Sequence, residues 1–452
     1  MWRSARIRRG MSVDEALLPS DFSSTLTSVP IFHYRTDDFI YDLRERQHNG
    51  HQNGDAVEKK RLSETIAERW ENARTKNVLN YNLNCLYKYL DGPYNLTIQL
   101  NIERGELRRK PMRFRHIQEA FNPVRWNFTR INDNEVLIYL KCEDYPLSED
   151  PLDRNVLAVN ASPLERNHSL LIPALNKCHP QVLTRSALRI AVDFLLLHDD
   201  ENEHILFNSL LGQASINHLH LHALPWPYES DLINRRFEYV PNVTDAFVIR
   251  PPDWICQAFA FQLTGKEDFE KFIDQLTMCV NLLISHEQAH NVSIGRAPPI
   301  RTDGPLREED RRGEKPLYLT AYIFPRMNMM GAKPPTNFNP AANELAGCLT
   351  SYTMRFFESV NEHTALRIIQ DEAHLPEHVF NTLVSDLSDT LLGKKVAAPK
   401  PPPLPEGLTS PELDELRDSF SSFDPPSPSR INRRRAGSAE QTALQIPEII
   451  LS

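Results

Sequence analysis

This chain of 452 residues lacks the cysteine pattern of a disulfide-stabilised or zinc-binding protein. Its six cysteines are scattered, and no two of them form a CxxC pair. Cysteines in this arrangement are typical of small buried side chains in a reducing compartment. The sequence therefore predicts a cytoplasmic protein with no bound metal.

Long apolar runs and excess positive charge are missing as well. No segment approaches the roughly 20 apolar residues that a membrane-spanning helix needs. The net charge of −9 argues against nucleic-acid binding through bulk charge. The Arg-rich start is followed at once by Asp14 and Glu15 and has no apolar segment, so no targeting leader is expected. Any anion site must be built locally, from a few side chains.

Glycine is scarce, with 15 residues, whereas the 34 prolines are unevenly spread. The Pro/Ser-rich segment 386–452 has no apolar periodicity, which predicts a disordered C-terminal tail. Residues 1–60 are expected to form a poorly ordered N-terminal segment, and residues 61–385 are expected to form the catalytic region. An order of helix and strands recurs within that region, which indicates two related α+β units at about 90–245 and 246–385.

Apolar periodicity predicts the α+β class, an antiparallel sheet with packed helices. Helical spacing covers about 61–75, 188–196 and 268–288. Strands are predicted at 94–101, 126–131, 135–140, 155–160, 169–173, 204–209, 216–224, 290–296 and 317–326.

Three histidines, His218, His220 and His222, alternate with Leu219 and Leu221. Side chains alternate faces on a strand, so the three imidazoles should share one face while the leucines face the core. Successive histidines are then about 6.6 Å apart, twice the rise per residue. One ring could attack a phosphorus atom while its neighbours contact the flanking oxygens. Neutral imidazole is a competent nucleophile near pH 7.

Two other interpretations compete for the same pattern. Alternating histidines can bind zinc, or they can be surface residues without a function. The preceding segment favours phosphate chemistry, because it supplies an amide, a flexible turn and a hydroxyl that bind ribose and phosphate without bulk charge. The candidate substrate-binding residues are Asn208, Gly212, Gln213 and Ser215.

The run His-Leu-His-Leu-His-Ala-Leu resembles the signature of the histidine triad superfamily. Upstream, NASPLERNHSLLIP resembles the hairpin of that superfamily, with His168 in its histidine position and Asn167 where glycine is usual. Further segments resemble the GDP-hexose phosphorylases, which comprise animal GDP-D-glucose and plant GDP-L-galactose phosphorylases. These segments are YNLTIQLNIERGELRRKPMRF, WNFTRI, INHLHLHALPW, HNVSI, YIFPR and NELAG. The resemblance covers about 90–385 and favours the animal branch.

The resemblance implies a nucleotidyltransferase that converts GDP-D-glucose and phosphate into GDP and glucose 1-phosphate. It implies that His220 is the nucleophile and forms a covalent GMP-histidine intermediate. The backbone of His218 would help to fix the ring tautomer, and His222 would contact phosphate or the leaving group. Asn208, Gln213, Ser215 and His222 are the expected donors to the charge that develops on phosphorus oxygens. No step requires a cofactor.

Two further features have more than one interpretation. The basic run of Arg104, Arg108, Arg109 and Lys110 predicts either a solvated edge or a phosphate-binding patch, with Arg104 and Arg109 as substrate-binding candidates. The pair of His290 and Asn291 predicts either a vestigial counterpart of the first site or a structural turn.

Three other functions stay open from the sequence. Plant members and related uridylyltransferases tend to carry Gln at the last triad position, whereas this chain has His222, as hydrolytic triads do. A histidine triad hydrolase with water as acceptor is therefore one alternative. A zinc-binding protein and a guanine-nucleotide exchange or regulatory protein are the others. The hexose and the oligomeric state also stay open.

Overall fold

The computed structural model describes residues 29–44, 61–145, 154–304, 315–329, 338–394 and 396. The prediction of a poorly ordered N-terminal segment falls mostly outside these residues. The same holds for the predicted tail, of which only 386–394 and 396 are described.

The described chain contains strands and helices with the following bounds. The strands are β1 Ile31–Tyr34, β2 Leu86–Tyr89, β3 Thr97–Leu100, β4 Val136–Cys142, β5 Asn155–Val159, β6 Ser169–Ile172, β7 Glu203–Asn208, β8 Leu221–Pro225, β9 Glu238–Tyr239, β10 Phe247–Ile249, β11 Ala258–Leu263, β12 His290–Ala297, β13 Tyr318–Pro325 and β14 Cys348–Ser351. The helices are α1 Leu62–Thr75, α2 Ile102–Leu107, α3 Arg185–Leu197, α4 Phe269–Ser285, α5 Ala342–Leu345, α6 Met354–Ser359, α7 Glu362–Glu372 and α8 Glu377–Leu391.

One large sheet organises the described residues, which confirms the predicted α+β class. Its 11 strands have the order β1-β4-β5-β6-β8-β7-β12-β13-β11-β10-β9. All neighbours pair antiparallel except β1 and β4. A second sheet of three strands has the order β14-β3-β2.

The large sheet contains the predicted duplication. The chain order strand-strand-helix-strand-strand occurs as β5-β6-α3-β7-β8 and again as β10-β11-α4-β12-β13. In space the first unit has the order β5-β6-β8-β7, and the second has the same order running the other way. Strands β7 and β12 pair antiparallel at the centre, so the two units are related by an approximate two-fold axis between them.

Helices α3 and α4 pack on one face of the sheet. Helix α3 begins after Thr184, whose hydroxyl accepts the Ala187 N–H at 3.2 Å and caps the first turn. Its buried stripe includes Leu188 and Leu195, which share one hydrophobic cluster with Leu276 of α4. Truncation of such a leucine to alanine costs about 2–5 kcal/mol, so this layer holds the two units together.

The opposite face is covered unevenly, and this difference creates the site. Over the second unit, Ile98 and Leu349 of the small sheet pack in one cluster with Ala260 and Phe324 of the large sheet. Over the first unit the corresponding face lines a cavity instead. This face of the sheet is thus covered over the second unit and accessible over the first.

Three predicted boundaries differ from the structure. Residues 126–131 were expected to form a strand, but Phe128–Arg130 is a 3₁₀ turn, because the Asn127 side chain accepts the Thr129 N–H at 3.1 Å. The strand expected at 216–224 begins only at Leu221. Helix α8 continues to Leu391, beyond the expected limit at 385.

Candidate active site

The cavity over the first unit has a volume of about 220 Å³. Most of the candidate site residues line it, namely Arg104, Arg109, Asn208, Gln213, Ser215, His220 and His222. Gly212 and His218 are not among the lining residues. The sheet therefore brings the predicted residues together, although two of them lie behind the cavity wall.

His220 is held with one ring nitrogen open to the cavity. Its Nδ1 lies 2.7 Å from the carbonyl oxygen of His218, so Nδ1 carries the proton and donates it. The Nε2 atom then has a free lone pair and no hydrogen-bond partner among the described residues. Burial lowers the pKa of His220 to about 4 and keeps the imidazole neutral near pH 7. This is the state that a nucleophilic imidazole requires.

The backbone of His220 is clamped by Gln181, a residue that sequence analysis did not identify. The Gln181 Oε1 accepts the His220 N–H at 2.9 Å, and its Nε2 donates to the His220 carbonyl at 3.0 Å. The same Nε2 lies 3.0 Å from the Asn208 carbonyl. No local pattern marks Gln181, because it lies 39 residues before the histidine that it holds.

His218 is locked behind the cavity rather than in it. The backbone N–H of Phe128 donates to its Nδ1 at 3.1 Å, so the proton must sit on Nε2, which donates to the Leu175 carbonyl at 3.0 Å. The ring packs between Phe121 and Phe128 and has no exposed surface. Its contribution to the cavity is therefore the carbonyl that orients His220.

His222 has its tautomer set by the hairpin histidine, His168. The Leu164 N–H donates to His168 Nδ1 at 2.9 Å, so the proton of His168 lies on Nε2. This proton faces Nδ1 of His222, 3.0 Å away, beside the amide of Asn160. His222 must then carry its own proton on Nε2, which has no partner among the described residues. Burial holds the pKa of both rings well below the usual range.

Side chains that can donate to a bound anion line the same cavity as His220. The Asn208 Oδ1 accepts from the Asn291 amide at 2.6 Å and from the Ala342 N–H at 3.0 Å, which leaves its Nδ2 hydrogens free to donate. Ser215 and Gln213 also line the cavity, and the Gln213 amide donates to the Met329 sulfur. Gln213 has a φ of 79°, a conformation that non-glycine residues adopt only when the surrounding structure holds them there.

Gly212 and the pair His290–Asn291 build the turn beneath these donors. The Asn291 amide donates to the Gly212 carbonyl at 2.6 Å. A Cβ atom at Gly212 would lie 2.7 Å from Ser209 Oγ and 3.0 Å from the His290 carbonyl oxygen. These contacts favour a structural turn as the role of His290 and Asn291.

The two-fold relation identifies a different counterpart of the triad in the second unit. In both units the last strand pairs its terminal proline, Pro225 or Pro325, with the first residue of the neighbouring strand. This register aligns His218, His220 and His222 with Tyr318, Thr320 and Tyr322. The corresponding cavity, lined by Tyr322, has only about 30 Å³. The second unit has therefore lost both the imidazoles and the space for a substrate.

The basic run diverges: Arg104, Arg108 and Arg109 line the cavity, whereas Lys110 is exposed and does not line it. Arg104 lies half-buried, with Nη1 bonded to the Ser162 carbonyl. Arg108 stacks on Tyr352 with its guanidinium 4.8 Å from the ring centroid. Arg109 stacks on Trp126 at 3.0 Å.

The cavity thus has two chemically different ends. One end is apolar and aromatic, with Trp126 and Phe128 in the same hydrophobic cluster. The other end is polar and includes Asn160, Ser162, Asn343, Glu344 and Tyr352. Burial raises the pKa of Glu344 to about 7, and sequence analysis had not assigned it a role. His220 and His222 lie between the two ends, because His220 contacts Phe128 and His222 contacts His168.

Two absences among the described residues bear on the alternative functions. Within the described ranges, no group of three or more His, Cys, Asp or Glu side chains is placed to hold a metal ion. Among the same residues, no helix combines the length and the apolar character needed to cross a membrane.

Two family models match the chain and together span most of the large sheet. The "GDPGP1-like, N-terminal domain" model matches residues 61–224, and the "GDPGP1-like, C-terminal domain" model matches residues 248–393. The first match ends within β8, and the second begins within β10.

Individual relatives give the same result over nearly the whole chain. A GDP-D-glucose phosphorylase 1 from Caenorhabditis elegans is 57% identical, covering 94% of this chain and 90% of its own length. The Homo sapiens protein of that name is 31% identical, covering 76% of this chain and 88% of its own length. A GDP-L-galactose phosphorylase 1 from Arabidopsis thaliana is 25% identical, covering 72% of both chains.

Proposed function

We propose the function of this chain from one premise: the chain belongs to the GDPGP1-like family. It is a nucleotidyltransferase that converts GDP-D-glucose and inorganic phosphate into GDP and glucose 1-phosphate. The names of its relatives support the substrate. The observation that carries the mechanism is the open Nε2 of His220, because Nδ1 of the same ring is bonded to the His218 carbonyl.

In the first step, His220 Nε2 attacks the phosphorus atom that carries guanosine. The bond from this phosphorus to the bridging oxygen breaks, and glucose 1-phosphate leaves with the electron pair. The covalent GMP-histidine has a positively charged ring, and its Nδ1–H remains bonded to the His218 carbonyl. This hydrogen bond stabilises the charge that develops on the ring.

In the second step, an oxygen of inorganic phosphate attacks the same phosphorus atom. The phosphorus–nitrogen bond breaks, GDP forms, and His220 returns to its neutral state. Since the two displacements share one centre, the same donors serve both of them. We assign this role to Asn208, Gln213, Ser215 and the Nε2–H of His222, which face the cavity and can be oriented before the charge develops.

The polar end supports an anionic acceptor. Arg104 and Arg108 line the cavity there, next to the amides of Asn160 and Asn343. Arginine is charged at every accessible pH and binds phosphate oxygens through several N–H groups. A hydrolase has no need for cations at the acceptor position, so these arginines favour phosphate over water.

The reaction is tested with purified chain, GDP-D-glucose and inorganic phosphate, and the products are separated by chromatography. We expect GDP and glucose 1-phosphate in equal amounts, and only when phosphate is present. When the enzyme is quenched without phosphate, mass spectrometry should find an acid-labile GMP adduct on His220 that added phosphate discharges. Release of GMP in place of GDP would instead identify a hydrolase.

The His220→Asn variant tests the nucleophile. Asparagine cannot form the phosphorus–nitrogen bond, so turnover should fall by several powers of ten while the melting temperature stays close to that of the wild type. His198→Asn is the matched control, because burial lowers the pKa of His198 to about 4 as well and His198 does not line the cavity. An adduct on a residue other than His220 would refute the mechanism.

We also propose a cytoplasmic location, with the GDP-sugar and phosphate as ligands and with neither nucleic acid nor membrane bound. All six cysteines are free thiols, and Cys142, Cys256, Cys279 and Cys348 are buried, as expected in a reducing compartment. Detection of the chain mainly in an organelle fraction would contradict the location.

A further inference from the structure

We infer that Arg109 and Glu135 recognise the base of the nucleotide and select guanine. This inference rests on the proposed function, because it assigns the aromatic end of the same cavity to the nucleoside. In the sequence, Arg109 belongs to a basic run that is consistent with phosphate binding. Its contacts favour the base instead.

The aromatic end offers a surface for a flat ring directly beside His220. The ring of Phe128 lies 4.9 Å from that of His220, and Trp126 lies 5.2 Å from Phe128. Met112 and Ile131 complete this wall. Base–aromatic stacking is favourable for every base, so this wall positions the nucleoside without selecting among bases.

Selection requires polar groups at the edge of the ring, and two charged residues are there. Arg109 covers the face of Trp126, and its guanidinium makes no hydrogen bond within the described residues. Glu135 lines the cavity half-buried. Its Oε1 accepts from the backbone N–H and the side-chain amide of Asn132 at 2.9 and 3.2 Å, while Oε2 has no partner among the described residues.

Guanine complements this pair, and adenine does not. Guanine presents acceptors at O6 and N7, which match the arginine fork, and an amino group at N2. Its N1–H and N2 amino group together can donate to one carboxylate. Adenine has an amino group in place of O6 and a lone pair at N1, so it would direct a donor to Arg109 and a lone pair to Glu135. Charged groups left unpaired in this way reject the wrong ligand strongly.

Two consecutive arginines, Arg108 and Arg109, contribute to the two different ends of the cavity. Arg108 has extended backbone with φ −64° and ψ 151°, so Arg108 and Arg109 point in different directions. Arg108 stacks on Tyr352 at the polar end, whereas Arg109 stacks on Trp126 at the aromatic end. One short segment therefore contacts both the base and the phosphates.

The test measures binding of GMP, IMP and AMP to the full-length His220→Asn protein by calorimetry, so that no turnover interferes. IMP keeps O6 and N1–H but lacks the 2-amino group. In this background we expect GMP to bind about tenfold more tightly than IMP and about 100-fold more tightly than AMP. Adding Glu135→Gln should abolish the preference for GMP over IMP, since an amide offers only one acceptor, which Asn132 occupies.

Three additional variants separate recognition from structure. Arg109→Met should weaken GMP and IMP equally, because both contain O6 and N7. Asn132→Ala removes the side-chain hydrogen bond to Glu135 and keeps the backbone N–H hydrogen bond, so it should leave the GMP to IMP ratio unchanged. Asp133→Asn alters an exposed carboxylate of the same turn and should leave all three affinities unchanged.

Two outcomes would overturn the inference. One is a preference for GMP over IMP that persists in Glu135→Gln at an unchanged melting temperature. The other is the loss of this preference in Asn132→Ala. The proposed function is contradicted by a different result, namely that the wild-type chain does not phosphorolyse GDP-D-glucose. In that case a base preference that depends on Glu135 would still stand.

Discussion

At the scale of single residues, the site depends on which ring nitrogen carries the proton. His218, His220 and His222 have the same side chain, yet each has a different partner for Nδ1: a backbone N–H, a backbone carbonyl and another histidine, respectively. Their protons therefore lie on Nε2, Nδ1 and Nε2. Only His220 faces the cavity with a free lone pair, which distinguishes the proposed nucleophile from its neighbours.

The Gln181 clamp leads to a prediction at this scale. Gln181→Met removes the hydrogen bonds to both the N–H and the carbonyl of His220 but keeps a side chain of similar length. We expect kcat to fall by about tenfold or more while KM changes little, because the nucleophile loses its orientation. The free energy of unfolding should fall by about 1–3 kcal/mol. Steady-state kinetics and thermal melting measure the two effects.

Gln262 provides a matched control for this variant. Its amide also makes three hydrogen bonds, to the Pro298 carbonyl, the Thr320 hydroxyl and the Ile300 N–H, but in the second unit. Gln262→Met should cost similar stability and leave kcat unchanged. Equal kcat in the two variants would mean that the clamp on His220 has no catalytic importance.

At the scale of elements, the turn between β7 and β8 determines where the anion donors point. This turn packs directly against the first residue of β12, since the Ser209 N–H donates to the His290 carbonyl at 3.0 Å and the His290 N–H donates to Ser209 Oγ at 2.9 Å. The donors of the first unit thus depend on the second unit, which supports the site although its own cavity is small.

Gly212 tests this packing. Gly212→Ala places a Cβ atom 2.7 Å from Ser209 Oγ and 3.0 Å from a backbone oxygen, so the turn must shift. We expect a loss of about 1–3 kcal/mol of stability and a lower kcat, measured by denaturant unfolding and steady-state assays. Gly304→Ala is the control, because no atom of the described residues lies within 4 Å of its added Cβ. Wild-type activity in Gly212→Ala would show that the turn tolerates displacement.

At the scale of the whole molecule, buried histidines should make stability depend on pH. Burial lowers the pKa of His198, His220 and His290 to about 4 and that of His218 to about 3. Their unfolded values lie near 6.5. At a pH between the folded and the unfolded pKa values, the unfolded chain binds protons that the folded chain does not. The contribution of these histidines to stability is therefore fully present above about pH 6.5 and is lost as the pH is lowered.

Buried carboxyl groups oppose this effect only in part. Burial raises the pKa of Asp193 and Glu344 to about 7, so the folded chain holds protons that the unfolded chain releases above about pH 4. The stability that these bound protons provide is lost as the pH rises. Each histidine with a depressed pKa costs about 1 kcal/mol between pH 7 and pH 5.5, and histidines are the more numerous group. The melting temperature should therefore drop by several degrees over this interval in thermal scans, and a constant or rising value would contradict this assignment.

Periodicity along the chain determined much of this fold and part of its site. Alternation placed Leu219 and Leu221 in the core beneath the helices and the histidines on the other face, because side-chain direction on extended backbone depends only on local geometry. The stripe of α3 and the hairpin of β5 and β6 followed from equally local patterns. The triad and its resemblance to a family identified the chemistry without any coordinates.

Tertiary structure decided what local patterns do not contain. The tautomer of His220 is local, but the clamp by Gln181 joins residues 39 positions apart. The relay from His168 to His222 spans 54 positions, and the contact of Phe128 with His218 spans 90. Packing of the small sheet over the second unit, and not over the first, leaves the cavity at His220 accessible, since which part of a face is covered depends on contacts between distant segments.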